Sequence, residues 1–196
     1  MGVTGGIASG KSLVLRTFMK LGAYAVDCDV LCREVVLPCS RAWWDIVDAF
    51  GKGILRHDLA IDRAKLRGIV FGDPEKLRRL ERIIHPEVRR KCRERVEAIR
   101  RLDQNALVVI DVPLLIETGM QEEFDTVLVV YVREDTQIRR LMERDGVTRE
   151  AAKRMIELQL PLADKLNFAD TVISNEGTRE ETEKQVRTVF DALSSG

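Results

Sequence analysis

The sequence lacks the features of zinc-knuckle proteins, secreted proteins and membrane proteins. Its four cysteines form no C-x-x-C pair, and its two histidines, His57 and His85, lie too far from them in sequence for a local zinc site. No apolar run approaches 18 residues, and no basic segment followed by an apolar core begins the chain. We therefore expect reduced, mostly buried thiols and a cytoplasmic protein without a membrane segment.

Net charge and aromatic side chains are also scarce. Lys plus Arg and Asp plus Glu each total 32, and only 5% of residues are aromatic. Neither a general positive field nor a row of stacking aromatics is present, so we expect no nucleic-acid partner. One exception is residues 75–101, with eleven Lys/Arg against five Glu. That run fits either a solvated helix surface or a face beside an anionic ligand.

Of the 196 residues, 45% are hydrophobic, which is enough to form a core. Short β-prone or apolar runs alternate with helical patterns. These runs are residues 23–26, 107–110, 126–132 and 171–173, with 1–4 as a short first strand. The alternation predicts an α/β three-layer sandwich with about five parallel strands and helices on both faces.

The most specific pattern is residues 5–12, Gly-Gly-Ile-Ala-Ser-Gly-Lys-Ser, which fits G-x-x-x-x-G-K-[ST]. Glycines let the backbone approach a ligand closely, so that successive N–H groups converge on phosphate oxygens. Lys11 adds a point charge, Ser12 offers a hydroxyl to Mg²⁺, and the following helix presents its N-terminal dipole to an anion. The alternative is a glycine-rich turn before a helix. We call residues 5–12 the phosphate-binding loop.

Carboxylates follow two of the predicted strands. Asp27 and Asp29 follow residues 23–26, and Asp111 follows residues 107–110 in the Walker-B position. Residues two apart on a strand point the same way, so Asp27 and Asp29 can both address a metal and phosphates held by the loop. Asp111 can bind Mg²⁺. The alternatives are an Asp that caps a helix at 30–37 and an Asp that initiates a loop before Pro113.

Residues 38–101 are nearly all helical in pattern and predict a block inserted between strands. Breaks are predicted at Pro38, 51–53, 72–74 and 85–86. Two apolar stripes predict core packing: Trp43, Trp44, Ile46, Val47 and Phe50, and then Leu66, Ile69, Val70 and Phe71.

A basic helix is predicted from Thr136, ahead of Gln159. Arg140 and Arg144 lie one turn apart on one face of it. They are either ordinary surface charges or, near a triphosphate, part of a closing lid. Beyond the last strand, Asn175 either reads a base edge or forms a turn.

Together these motifs resemble those of the dephospho-coenzyme A kinases over nearly the whole chain. The matching stretches are 4–12, 27–29 with 33–36, 61–67 with 70–71, 80–86, 112–117, Arg140 with 144–146, Gln159, and 169–177. The resemblance implies a P-loop kinase that uses ATP and Mg²⁺ to phosphorylate the ribose 3′-hydroxyl of dephospho-CoA. It also implies a core at about 1–29, 104–133 and 168–196, a helical CoA-binding insert at about 30–103 and a lid at about 134–167.

The same resemblance implies roles for individual residues, with Asp29 as the general base. The catalytic group comprises Asp29, Lys11, Arg140 and Arg144. The ATP-binding residues are Gly6, Ile7, Ala8, Ser9, Gly10, Lys11, Ser12, Leu13, Asn175 and Gly177. The substrate-side residues are Asp29, Arg33, His85, Leu115 and Glu117. The metal ligands are Ser12 and Asp29, together with Asp111, whose role rests on its Walker-B position and not on the resemblance. Leu13 departs from the family, which usually has a second hydroxyl there, so one contact to the α-phosphate is absent.

Overall fold

A computed structural model describes residues 1–194, and the chain divides into two compact units. The core unit comprises Met1–Val26 and the chain from Ile99 onward. The helical unit comprises Asp27–Ala98. The predicted insert at about 30–103 overlaps this helical unit. The predicted lid, at about 134–167, falls within the core unit, and its role remains a prediction.

The core unit is built on a five-stranded sheet in the order β2-β3-β1-β4-β5. The strands are β1 Gly2–Gly5, β2 Tyr24–Asp27, β3 Val108–Asp111, β4 Val127–Tyr131 and β5 Thr171–Ser174. The pairs β1–β3, β1–β4 and β4–β5 are parallel. The predicted α/β sandwich with five strands is confirmed.

Strand β1 is short but lies at the centre of the sheet. All four of its residues are buried, and Val3 aligns with Asp111 on one side and Leu128 on the other. At Gly2 an added Cβ would lie 2.7 Å from Leu115 Cδ1, so the neighbouring turn packs directly on the strand. The phosphate-binding loop therefore leaves the sheet at the middle of its carboxyl edge, where ligands of such sheets bind.

Helices connect the strands. They are α1 Lys11–Lys20, α2 Cys28–Glu34, α3 Arg41–Phe50, α4 Arg63–Val70, α5 Pro74–Leu102, α6 Glu134–Asp145, α7 Arg149–Glu157, α8 Leu162–Lys165 and α9 Arg179–Ser194. The predicted single basic helix is two helices. Gly146 ends α6 in the left-handed region, at φ 67°, and the Thr148 side chain caps α7. No helix among residues 1–194 has the length and apolarity needed to cross a bilayer.

The helical unit has its own apolar core. Trp43, Ile46, Ile54, Leu66 and Val70 are among its buried members. The indole N–H of Trp43 donates to the Leu59 carbonyl at 2.8 Å, which satisfies its one polar group. The predicted stripes are correct for Trp43, Ile46, Leu66 and Val70. They are wrong for Trp44, Ile69 and Phe71, which are 57%, 36% and 84% exposed.

The predicted break at 85–86 is wrong, because α5 continues through Pro86. Proline removes one backbone hydrogen bond and crowds the preceding turn, at a cost of about 3 kcal/mol. Leu80, Ile83 and Ile84 before Pro86 pack on the core of the helical unit, and Val88 after it is buried. Packing on both sides of the proline thus outweighs the local preference to end the helix.

Candidate active site

The phosphate-binding loop begins α1 without a side-chain cap. Gly10, the residue before the helix, has φ 87°, and an added Cβ there would overlap the Asn175 amide. The first N–H groups of a helix have no acceptor within the helix, so an uncapped start leaves them for a ligand. Ser9 Oγ is buried without a hydrogen-bond partner among residues 1–194. These unused donors fit an anion with several oxygens, as a phosphate group has.

Two glutamines hold the first half of the loop. The Ile7 N–H donates to Gln159 Oε1 at 2.8 Å, and Gln137 Nε2 donates to the Ile7 carbonyl at 2.7 Å. Gln137 is only 2% exposed. Both peptide groups around Ile7 are therefore fixed by side chains from α6 and from the segment after α7.

Arg140 and Asn175 hold the second half. The Arg140 guanidinium donates to the carbonyls of Ala8 at 3.3 Å, Ser9 at 3.2 Å and Asn175 at 2.7 Å. Asn175 Nδ2 donates to the Ser9 carbonyl at 2.8 Å, while its Oδ1 accepts from the Thr182 hydroxyl at 2.8 Å. Asn175 is buried, so the prediction that its side chain reads a base edge is wrong. That side chain braces the loop instead.

Glu176 adds a negative charge beside Arg140. Its carboxylate accepts from the Arg133 N–H and, at 2.9 Å, from the Thr136 hydroxyl. Burial acts to raise the pKa of Glu176, but these hydrogen bonds and the charges of Arg133 and Arg140 outweigh it and lower the pKa. Glu176 therefore remains ionised next to Arg140.

Lys11 forms an ion pair with Asp111, which ends β3. The two side chains are 15% and 18% exposed. Mg²⁺ in kinase sites takes one or two carboxylates together with substrate phosphate oxygens and water. No cluster of three or more His, Cys, Asp or Glu side chains in residues 1–194 forms a complete metal cage. Asp111 and the exposed Ser12 hydroxyl therefore fit a cation that arrives with a nucleotide.

Two predicted substrate-side residues make structural contacts. Leu115 is 0% exposed and belongs to the apolar interior of the core unit, so its side chain cannot meet a ligand. Glu117 Oε1 lies 2.7 Å from Nζ of Lys165, which is fully buried, and accepts from the Leu160 N–H at 3.1 Å. Lys165 Nζ also lies 3.5 Å from the Pro113 carbonyl. Glu117 thus neutralises a buried cation.

Leu13 and Gly177 lie at the starts of helices. The Leu13 N–H donates to the Gly10 carbonyl at 2.9 Å. Gly177 precedes α9, where the Thr178 N–H donates to Glu181 at 2.7 Å and the Glu181 N–H donates back to the Thr178 hydroxyl at 3.2 Å. This is a capping box. Their predicted contacts with ATP remain predictions.

In the helical unit, Asp27 and Asp29 do not form the predicted strand-end pair. Asp27 caps α2 by accepting from the N–H groups of Asp29 at 2.8 Å and Val30 at 3.1 Å. Asp29 lies exposed in the first turn of α2. The local preference of Asp for the cap position therefore decides the geometry.

Arg33 follows Asp29 by one helical turn, on the same face of α2. His85 is half-buried in the middle of α5. The substrate-side roles of these residues remain predictions.

Sequence reasoning missed Gln137, Thr182 and Lys165 as parts of the site's framework. None of them belongs to a local motif. The partner of Gln137 lies 130 residues away, whereas Thr182 bonds to Asn175 only seven residues before it. For Lys165 a signal existed, because a lysine between Leu162 and Leu166 lies on the apolar side of a short helix.

Comparison with known proteins decides the family. The family model described as dephospho-CoA kinase matches residues 1–181. The chain belongs to the dephospho-CoA kinase family. A dephospho-CoA kinase of Geobacillus kaustophilus is 49% identical, with 98% of this chain and 97% of that protein covered.

Solved structures agree with the family and the fold. Dephospho-CoA kinase from Campylobacter jejuni is 28% identical with a TM-score of 0.75, covering 100% of this chain and 96% of that one. A Thermus thermophilus protein is 32% identical with a TM-score of 0.81, covering 98% and 96%. The matched residues 1–181 of the dephospho-CoA kinase model include the phosphate-binding loop, Arg140, Asn175 and the helical unit.

Proposed function

We propose that this protein transfers the γ-phosphoryl group of ATP to the ribose 3′-hydroxyl of dephospho-CoA, giving coenzyme A and ADP in the last step of coenzyme A synthesis. The observation that carries the proposal is the braced phosphate-binding loop within a chain of this family. Its donors are held in place by Gln137, Gln159, Arg140 and Asn175. Such preorganised donors stabilise charge without rearranging during the reaction.

The loop binds the phosphates through the N–H groups at the start of α1. Lys11, paired with Asp111 here, turns toward the β- and γ-phosphate oxygens when nucleotide binds, and Asp111 is then available to the cation. Ser12 and Asp111 would hold a Mg²⁺ ion that arrives with the nucleotide, and the ion would neutralise negative charge on the phosphates. Positioning and charge neutralisation account for most of the catalysis in such reactions.

Asp29 orients the ribose hydroxyl and accepts its proton as the bond to phosphorus forms. The proton leaves late, so an ordinary carboxylate suffices as the base. Arg144 is exposed and forms a hydrogen-bonded ion pair with Asp145. It provides the mobile positive charge of the lid at about 134–167. Arg140 is fixed against the loop and neutralises charge from there.

We further propose that the protein works in the cytoplasm. Support comes from its four cysteines, Cys28, Cys32, Cys39 and Cys92, which are free thiols.

An acceptor panel tests the function. ADP release is measured with Mg·ATP and either dephospho-CoA, a nucleoside monophosphate, shikimate or no acceptor. We expect ADP release to depend on dephospho-CoA alone. Equal or faster release with a nucleoside monophosphate would assign the chain to a different kinase reaction.

A further inference from the structure

A cavity of about 630 Å³ lies within the helical unit. Arg33 of α2, Arg56, and Arg63 at the start of α4 line it, together with an apolar wall from residues 36–38 and Ile61. It is separate from the phosphate-binding loop, which belongs to the core unit. Three guanidinium groups therefore lie around one cavity.

The charge is not balanced by the protein. Arg56 is paired with Asp58 at 3.2 Å. The one carboxylate on the cavity wall, Asp62, is used as the cap of α4, where it accepts from the N–H groups of Ala64 and Lys65 at 3.1 Å each. Among residues 1–194, Arg33 and Arg63 have no acidic partner. Two unpaired guanidinium groups thus line one cavity, which suits a ligand with adjacent anionic groups.

The helix that carries Arg33 also carries Asp29, one turn earlier. One helical turn is about 5.4 Å, which is on the scale of a ribose ring with its 5′ oxygen. An acceptor whose 3′-hydroxyl meets Asp29 therefore has its 5′-phosphates near Arg33. Dephospho-CoA carries a diphosphate there, followed by a long arm of low charge.

A second cavity of about 510 Å³ adjoins the first and shares Arg63 and Ala64 with it. Phe71, which is 84% exposed, lies on its wall beside Gly68. Arg67 lies on the same wall, so the second cavity extends the positively charged surface along α4 and adds the exposed Phe71 ring to it.

We propose that Arg33 and Arg63, with Arg56, bind the diphosphate of the acceptor and so set the position of its ribose against Asp29. The proposal rests on the proposed function and names the part of the substrate that the helical unit recognises. It predicts that these arginines determine affinity for the acceptor and leave ATP binding unaffected.

The test compares Arg33→Gln and Arg63→Gln with wild type, measuring kcat and the KM for each substrate and, by calorimetry, the affinity for dephospho-CoA without ATP. Each loss of a charge-assisted contact should weaken dephospho-CoA binding about tenfold or more. The KM for ATP should change less than about twofold, because the loop lies in the other unit. Arg63→Lys should bind dephospho-CoA more tightly than Arg63→Gln but less tightly than wild type. Lysine keeps the positive charge but lacks the planar guanidinium that donates two parallel hydrogen bonds.

Arg93→Gln is the matched control, because Arg93 is an exposed arginine of the same unit that does not line this cavity. It should behave as wild type, and all variants should keep the wild-type melting temperature. If Arg63→Gln and Arg33→Gln bind dephospho-CoA as tightly as wild type, the diphosphate assignment is wrong while the kinase function stands. If wild type itself does not phosphorylate dephospho-CoA, both proposals are overturned.

Discussion

The side-chain amide of Asn175 donates a hydrogen bond to the backbone carbonyl of Ser9, 2.8 Å away and 166 positions earlier in the chain. Arg140 reaches the same carbonyl from α6 at 3.2 Å. The end of β5 and the start of α9 are thereby tied to the loop that follows β1. The loop conformation is set by the folded core unit rather than by the nucleotide.

Asn175→Ala should therefore weaken the binding of ATP more than the binding of the acceptor. The change removes one of the two side-chain donors to the Ser9 carbonyl, where Arg140 remains, and one of the two acceptors of the Thr182 hydroxyl, where the Thr178 carbonyl remains. Each lost hydrogen bond of this kind costs about 0.5–1.5 kcal/mol. We expect the KM for ATP to rise at least about tenfold and the melting temperature to fall.

Thr182→Val is the paired variant, since it removes the bond to Asn175 Oδ1, together with a local bond to the Thr178 carbonyl, and leaves the Asn175 bond to the Ser9 carbonyl in place. It should raise the KM for ATP less than Asn175→Ala does. A wild-type KM for ATP in Asn175→Ala would show that the loop does not need this brace.

Asp29→Asn tests the proposed general base. Replacing the carboxylate by an amide removes the proton acceptor, so kcat should fall by about two to four orders of magnitude, the usual range for such groups. Affinity for ATP, measured by calorimetry, should remain that of wild type.

Asp27→Asn is its control two residues away. Asn is as good a helix cap as Asp, so α2 should keep its start and kcat should change little. Near-normal turnover in Asp29→Asn, or an equal loss in both variants, would remove Asp29 from the base role.

Glu117→Ala should destabilise the protein rather than weaken substrate binding. It would leave Lys165 as a buried cation without its carboxylate, a loss that typically costs about 3–5 kcal/mol. Urea unfolding measures this cost. Glu183→Gln, which breaks an exposed ion pair with Arg179, should have a far smaller effect. A raised KM for dephospho-CoA with unchanged stability would instead support the substrate-side role predicted from the sequence.

Glu176 should make stability depend on pH. Its pKa is lowered in the folded protein, so its ionised form contributes stability above the ordinary carboxylate range, and this contribution disappears as pH falls through the lowered folded pKa. Thermal melts of wild type and Glu176→Gln should differ most near pH 7 and converge only when the pH falls below the lowered folded pKa, under the ordinary carboxylate range. A difference that does not change with pH would assign the effect to packing.

Local sequence patterns were sufficient to predict the phosphate-binding loop and the strands. Residues 5–12 carry a motif whose glycines and lysine together are typical of phosphate binding. The apolar runs before Asp111 and after Thr126 are typical of buried parallel strands. Local preference misled at Pro86, where packing on both sides maintains the helix. It also misled at Asn175, a residue common in turns whose side chain is buried against the loop.

Long-range partners explain what could not be predicted at the site. The family resemblance implied a substrate-side role for Glu117, and nothing near it in the sequence indicates its partner Lys165. Asp27 and Asp29 were placed on a strand end, but Asp27 caps α2, which begins at Cys28, two residues before the expected start at residue 30. The cavity around Arg33 and Arg63 depends on how α2 and α4 pack, which the motifs alone do not determine.

The most direct test of the account is to identify the product of the wild-type reaction. The protein is incubated with Mg·ATP and dephospho-CoA, and the product is analysed by ³¹P NMR and mass spectrometry, with Lys11→Ala as the inactive control. We predict one new phosphate on the ribose 3′-oxygen for each ADP formed, and no product with Lys11→Ala. ADP formed without phosphorylation of dephospho-CoA, or a phosphate on another atom, would contradict the account.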